Sequence, residues 1–236
     1  MYEAMMADLA ADYYVLAPDL PGFGQSDCLQ ISPKVNAISA WADVMAEFCD
    51  GPVAGIFGHH TGAAVATELL FRHPELASRL MLSGPTLLNQ TLKNILPEKA
   101  RSFPPTKDGL HLLAMWQRMQ AKDSAADLDL VLREAQLGLA MGERYPDAYK
   151  AVIEHDYQGA ISAIRQPVLM FAGTADPLFS VLDDAFACVH SGVKTTIADT
   201  ASWVCDRQPQ VVCQLIRRFM AMDIAVNSKV EWACES

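Results

Sequence analysis

Five consecutive residues, Gly58-His-His-Thr-Gly62, carry the sharpest chemical signal in the chain. A β-prone run, Val53-Ala-Gly-Ile-Phe57, precedes them, and helical spacing follows from Gly62 to Arg72. That is the setting of the G-x-S-x-G nucleophile elbow. Its end glycines, here Gly58 and Gly62, let strand and helix approach closely, and its central side chain stands exposed at a helix N-terminus. Here the central residue is His60 instead of Ser. An imidazole held there can act as general base, or as a nucleophile forming a transient covalent intermediate, with the Thr61 N–H facing a developing oxyanion. The competing reading is a polar residue left at a decayed site. His59 is expected to pack beside the elbow. A metal site from His59, His60 and Asp176 would need a further well-placed ligand, and adjacent His side chains rarely converge, so no metal is expected.

The elements that must position this turn alternate along the chain. Tyr13–Ala17 reads as a short strand, Pro33–Cys49 as a helix, Val53–Phe57 as a buried strand, Gly62–Arg72 as a helix and Arg79–Ser83 as another strand. Between 86 and 160 only helical periodicity appears. Leu110, Leu113, Ala114 and Met119 mark one segment, and Leu128, Val131, Leu132, Ala135, Leu139 and Ala140 the next; a third runs from Pro146 to His155. Alternation resumes with a strand at Val168–Ala172, a helix over 178–189, a strand at Thr195–Ile197 and a helix opened by Pro209. The tail from Asn227 to Ser236 has no strong signal.

Such alternation predicts an α/β fold, a mostly parallel sheet flanked by helices. Residues 1–85 and 161–236 are expected to form its core, with 86–160 inserted as a helical lid over the carboxyl ends of the strands, where ligands bind in such sheets. His73, His111, His155 and His190 read as surface or lid residues. Met115, Trp116, Met119 and Met141 suit either an apolar pocket under the lid or plain packing of its helices.

Composition narrows the partners. The chain has 236 residues, of which 51% are hydrophobic and 19% charged, which excludes a disordered or low-complexity polymer. Acidic residues outnumber basic ones 28 to 18, for a net charge of −10, and no basic run stands out. Nucleic acid and anionic membrane are therefore not expected as partners. No stretch has the length of a transmembrane helix, and the first thirty residues lack a signal-peptide pattern. The six cysteines show no C-x-x-C pair and read as buried free thiols in a reducing cytoplasm. No glycine pattern for a dinucleotide or P-loop is present, so no cofactor is expected.

The motifs together resemble the α/β-hydrolase fold superfamily, in its lid-bearing branch of esterases, epoxide hydrolases, haloalkane dehalogenases and carbon–carbon bond hydrolases. Besides the elbow, Ala17-Pro-Asp-Leu-Pro-Gly-Phe-Gly-Gln-Ser-Asp27 is similar to the loop that follows the family's fourth strand. Phe71–Ser83 is similar to its passage after the elbow, Ala172-Gly-Thr-Ala-Asp-Pro177 to the turn presenting the acid, and Arg207-Gln-Pro209 to its ending. The resemblance implies Asp176 as the catalytic acid and a catalytic His seven residues before Pro209, where this chain has Ser202.

The expected Ser–Asp–His order thus reads His60–Asp176–Ser202. The usual relay cannot be assembled at those positions, and little ordinary esterase turnover is expected. A swapped dyad, Ser202 attacking with His60 as base, would place the nucleophile away from the elbow N–H groups. The resemblance further implies three strands and a His-Gly loop ahead of the helix with which the chain opens. In the family's order the third strand lies between the fourth and fifth. Without it the sheet is expected to be left open there or to close differently. The implied function is hydrolysis of small, apolar, ester-like or related substrates; the alternative is a non-catalytic member binding an apolar small molecule.

Overall fold

The computed structural model describes residues 2–32 and 34–235. Its five parallel strands form one sheet in sequence order: β1 (Ile56–His59), β2 (Leu80–Ser83), β3 (Val168–Gly173), β4 (Gly192–Ile197) and β5 (Lys229–Glu231). The register sets His59 opposite Ser83, and Ser83 opposite Phe171, so β1 and β2 finish level and β3 runs two residues further, to Gly173. Parallel neighbours need long crossovers, and helices supply them.

Side-chain alternation along the buried strands sorts the core into two layers. Leu80, Leu82, Val168, Met170 and Ala172 pack with α2 (Ala37–Phe48), α3 (Thr61–Arg72), α7 (Asp147–Glu154), α8 (Tyr157–Ala163) and α9 (Leu182–Ala187). Met81, Leu169, Phe171, Val193 and Ile197 pack with α1 (Glu3–Leu9), α10 (Val204–Arg207) and α11 (Pro209–Ala221) on the opposite face. The fold is therefore α/β, a parallel sheet with helices on both faces.

Between β2 and β3 the described chain is wholly helical: α4 (Gln90–Lys99), α5 (Leu110–Lys122), α6 (Leu128–Ala140), then α7 and α8. α5 and α6 share a small core of Met115, Met119, Leu130, Val131 and Ala135, closed by Trp203. Their buried stripe differs from the expected one. Leu110, Leu113, Leu128 and Leu132 are exposed, because only the face turned to the partner helix and Trp203 is covered. α7 and α8 instead contribute Ala151, Val152, Tyr157 and Ile161 to the layer beside the sheet.

Several boundaries shift for local reasons. Pro33, the expected start of the second helix, lies outside the described residues; α2 begins after Asn36, whose side chain accepts from the Ile38 N–H at 2.8 Å. The expected strand 53–57 is paired only from Ile56, with Val53 making a lone bridge to Ala77. The expected helix 178–189 is a 3-10 turn over Pro177–Val181 followed by the short α9. The strand expected at 195–197 extends back to Gly192, and β5 occupies the tail that carried no signal.

The run Tyr13–Ala17 is not a strand. It alternates, with Tyr13 and Val15 toward the core and Tyr14 and Leu16 outward, yet pairs with nothing among the described residues. A five-residue run has no stability as a strand without a ladder neighbour. β1 bonds only to β2, so its other edge faces a cleft that this run borders.

Candidate active site

β1 ends at His59 and α3 begins at Thr61, so the entire strand-to-helix turn is His60. Its backbone sits at φ 50° and ψ −114°, where an L side chain costs on the order of 1–3 kcal/mol. Three glycines surround it. A Cβ on Gly58 would lie 2.2 Å from the Gly62 carbonyl oxygen, so that close approach requires glycine. Gly62 differs from expectation: a Cβ there meets only the Tyr2 hydroxyl, at 3.7 Å. Gly84, just past β2 at φ +62°, makes room for the ring itself, since a Cβ would stand 2.3 Å from His60 Cδ2.

The His60 ring reaches Asp176, 116 residues on. Nε2 donates to Oδ2 at 2.7 Å; the His60 side chain is 27% exposed and that of Asp176 1%. Asp176 follows β3 and also caps the 3-10 turn, its Oδ1 accepting from the Leu178 N–H at 2.7 Å. Burial alone would raise its carboxyl pKa. The His60 imidazole, His59 and the Leu178 N–H together outweigh burial and hold it below the ordinary range. Since the carboxylate can only accept, the neutral His60 ring carries its proton on Nε2 and leaves Nδ1 bare.

His59 is buried and stacked on His60, with ring centroids 3.9 Å apart and planes 18° from parallel. Its Nε2 lies 2.9 Å from the Ser202 carbonyl, which can only accept, so Nε2 donates. Its Nδ1 therefore accepts from the Ser83 hydroxyl, also at 2.9 Å. Burial foremost, with the neighbouring His60, pushes its pKa down to about 3, so at neutral pH it is an uncharged spacer locked in one tautomer.

Ser202 contributes its backbone carbonyl to His59, and among the described residues its hydroxyl bonds neither Asp176 nor His60. The Thr61 N–H, the first of α3, has no acceptor among the described residues, as befits a helix start beside a cavity. Among those residues no group of three His, Cys, Asp or Glu could share a metal ion.

The other histidines lie elsewhere. His73 contacts Asp43 and His190 lies against Arg165. His111 caps the loop at Thr106. His155, expected at the surface or in the lid, has a buried side chain paired with Glu68 of α3 at 3.0 Å.

A cavity of about 1640 Å³ joins these groups. His60 and Thr61 lie in its floor, and residues of α4 to α7 line its wall, among them Met119, Met141, Tyr145 and Tyr149. Met115 and Trp116 do not line it; Met115 is fully buried between α5 and α6. The cavity exceeds the ~300–1,000 Å³ of ordinary small-molecule sites because it continues along the free edge of β1 to residues 13–18. Five basic residues line it, Lys99, Arg101, Arg118, Lys122 and Arg144, and the sequence reading singled out none of them; Arg118 and Lys122 lie four residues apart on α5. The available signal was two basic residues in a helix with no carboxylate of its own.

The chain is similar to known proteins in sequence and in fold. The (E)-2-((N-methylformamido)methylene)succinate hydrolase of Acinetobacter baylyi is 26% identical over 174 residues, covering 70% of this chain and 63% of that protein. The 2-hydroxy-6-oxo-6-phenylhexa-2,4-dienoate hydrolase of Burkholderia cepacia is 31% identical over 90 residues, covering 38% of this chain and 32% of that protein. The chain thus spans less than two thirds of the length of either relative. A malate-bound esterase of Thermogutta terrifontis superposes with a TM-score of 0.73 at 21% identity, covering 93% of this chain and 84% of its own, a likeness of fold. The profile of the alpha/beta hydrolase family matches residues 1–215, which include the strained turn at His60, the acid after β3 and the start of α11. On that match the chain belongs to the alpha/beta hydrolase family.

Proposed function

We propose that the chain is a hydrolase in which His60 and Asp176 form the acid–base pair, acting on small, largely apolar ester-like or related substrates. The 2.7 Å bond between His60 Nε2 and Asp176 Oδ2 carries this reading. It joins the two partners of the usual relay, imidazole and acid, with the imidazole moved into the elbow. Bare Nδ1 takes a proton from water, and the resulting hydroxide attacks the substrate carbonyl. The Thr61 N–H stabilises the oxyanion, and the imidazolium, hydrogen-bonded through Nε2 to the Asp176 carboxylate, returns the proton from Nδ1 to the leaving alkoxide. Residues 86–160 act as the lid, a reading supported by the α4–α7 side chains that line the cavity above the elbow. Of the six free thiols, expected to be buried, only Cys205 and Cys213 are, while Cys28 and Cys234 are exposed; unpaired thiols support a reducing cytoplasm. No described helix is long and apolar enough to cross a membrane.

A second reading, a non-catalytic binder of an apolar small molecule, is favoured by one observation. No hydroxyl or thiol nucleophile occupies the elbow, and Ser202 stands where the family's mobile imidazole belongs. Hydrolysis of p-nitrophenyl butyrate by wild type, His60→Ala and Ser202→Ala separates the two. The hydrolase reading expects measurable turnover that falls ~10²–10⁴-fold in His60→Ala and is nearly unchanged in Ser202→Ala. Turnover indifferent to His60→Ala, or binding of the ester with no turnover, assigns the cavity to ligand binding.

A further inference from the structure

We propose that this cavity takes a substrate bearing a carboxylate, gripped by Arg118 and Lys122 on the wall opposite apolar lining. The proposal deepens the hydrolase reading and rests on it for the word substrate; the anion site itself stands on its own observations.

Both cations belong to α5 and line the same cavity as His60. Spacing of i and i+4 puts them on one helix face, where like charges repel by roughly 0.2–0.5 kcal/mol even in water. Among the described residues neither has a carboxylate at ion-pair distance. The Lys122 ammonium has the Tyr149 hydroxyl at 3.2 Å, and the Arg118 guanidinium donates to the Arg101 carbonyl. Glu134, an acid on the same wall, acts on Lys122 only from beyond ion-pair distance and is held by Arg133 at 2.8 Å, while Arg133 binds Asp206 as well. Arg118 and Lys122 therefore stand together on a mostly apolar cavity wall in a chain of net charge −10; of the other basic lining residues besides Lys99, Arg101 pairs with Glu98 and Arg144 donates to the Gly22 carbonyl. A bound monoanion converts their repulsion into two attractions, and cavity walls of low dielectric focus that field.

The geometry suits a carboxylate. The guanidinium lies 3.9 Å from the centroid of the Phe103 ring and 5.4 Å from that of Tyr145, a shelf that holds its plane for two parallel hydrogen bonds. Tyr145 and Tyr149, with hydroxyls 3.5 Å apart, extend the row of donors past Lys122. The rival explanation is a structural clip, Lys122 tying α5 to α7 through Tyr149. A clip affects stability but has no means of telling an anion from its neutral ester.

Binding is measured by isothermal titration on the full chain with monomethyl glutarate and dimethyl glutarate, in wild type, His60→Ala, Arg118→Gln/Lys122→Met and the charge-keeping Arg118→Lys/Lys122→Arg. The expected result is about tenfold or tighter binding of the monoester, weakened by salt, kept in His60→Ala and in the charge-keeping pair, and lost in Arg118→Gln/Lys122→Met. In parallel, p-nitrophenyl hemiglutarate is expected to show a lower KM than p-nitrophenyl butyrate in wild type only when both cations are charged. Equal binding of mono- and diester by wild type overturns the proposal, as does a preference that survives Arg118→Gln/Lys122→Met. Should Arg118→Gln/Lys122→Met fail to fold, the wild-type preference and its salt dependence decide alone. Monoester preference without hydrolysis of either p-nitrophenyl ester sinks the hydrolase reading and leaves the anion site standing. Hydrolysis indifferent to substrate charge does the reverse.

Discussion

The imidazole of His60, at the elbow after β1, donates from Nε2 to Oδ2 of Asp176, after β3, over 2.7 Å. Two strands separate in sequence but parallel in one sheet thus bring a strained turn and a buried acid together at their carboxyl ends. The acid fixes which nitrogen of the imidazole is free, and so decides what the elbow residue can do.

Replacing that acid tests the tautomer argument. Asp176→Asn keeps an oxygen for the Leu178 N–H, so the turn should stay folded, with a stability change near 1 kcal/mol. The amide can instead donate to His60 Nε2, which moves the ring proton to Nδ1 and removes the base. Ester turnover is expected to fall by up to ~10⁴-fold while the melting temperature moves little. Equal rates for the two proteins would place the base elsewhere.

His59 makes stability depend on acid. Its pKa is depressed in the fold, from 6.5 to about 3, by burial first and His60 second. A group depressed on folding stabilises above its unfolded pKa and loses that contribution as pH falls. Between pH 6.5 and about 3 the unfolded chain binds the proton and the folded one does not, at ~1.4 kcal/mol per pH unit. Asp176 adds its own loss only at lower pH, around and below its ordinary value of 3.8. Urea midpoints taken from pH 7.5 to 4.5 should therefore fall steeply for wild type and more gently for His59→Asn. Parallel curves would show that His59 is protonated in the fold.

The two elbow glycines should respond oppositely. Gly58→Ala drives a Cβ to 2.2 Å from the Gly62 carbonyl and must separate strand from helix, so a loss of ~2 kcal/mol or more and of any turnover is expected. Gly62→Ala makes only an ordinary contact with the Tyr2 hydroxyl, at 3.7 Å, in the first turn of α3, where Ala is a better helix former, and should stabilise by ~0.4–1 kcal/mol. Chemical denaturation of both variants checks the pair; comparable losses in each would mean that the turn is tighter than described.

Much of this protein was decided locally. Strands such as Leu80–Ser83 and Val168–Gly173 are short apolar runs bounded by glycine or proline, and helices such as Pro209–Ala221 carry their own start signals and periodicity. The elbow at His60 was legible for the same reason, since a strand, a turn and a helix are contiguous in the chain. Three things were settled only by packing at a distance. Tyr13–Ala17 has the composition of a strand but no ladder neighbour, whereas exposed Lys229–Glu231 has little of it and pairs with β4, because a strand exists only through its partner. Asp176 meets His60, a side-chain pairing between residues over a hundred positions apart that depends on register and on the space Gly84 leaves for the ring. Arg118 and Lys122 carry no signal of their own in the sequence, and only the assembled cavity shows that they face the same space as the dyad with no carboxylate at ion-pair distance among the described residues.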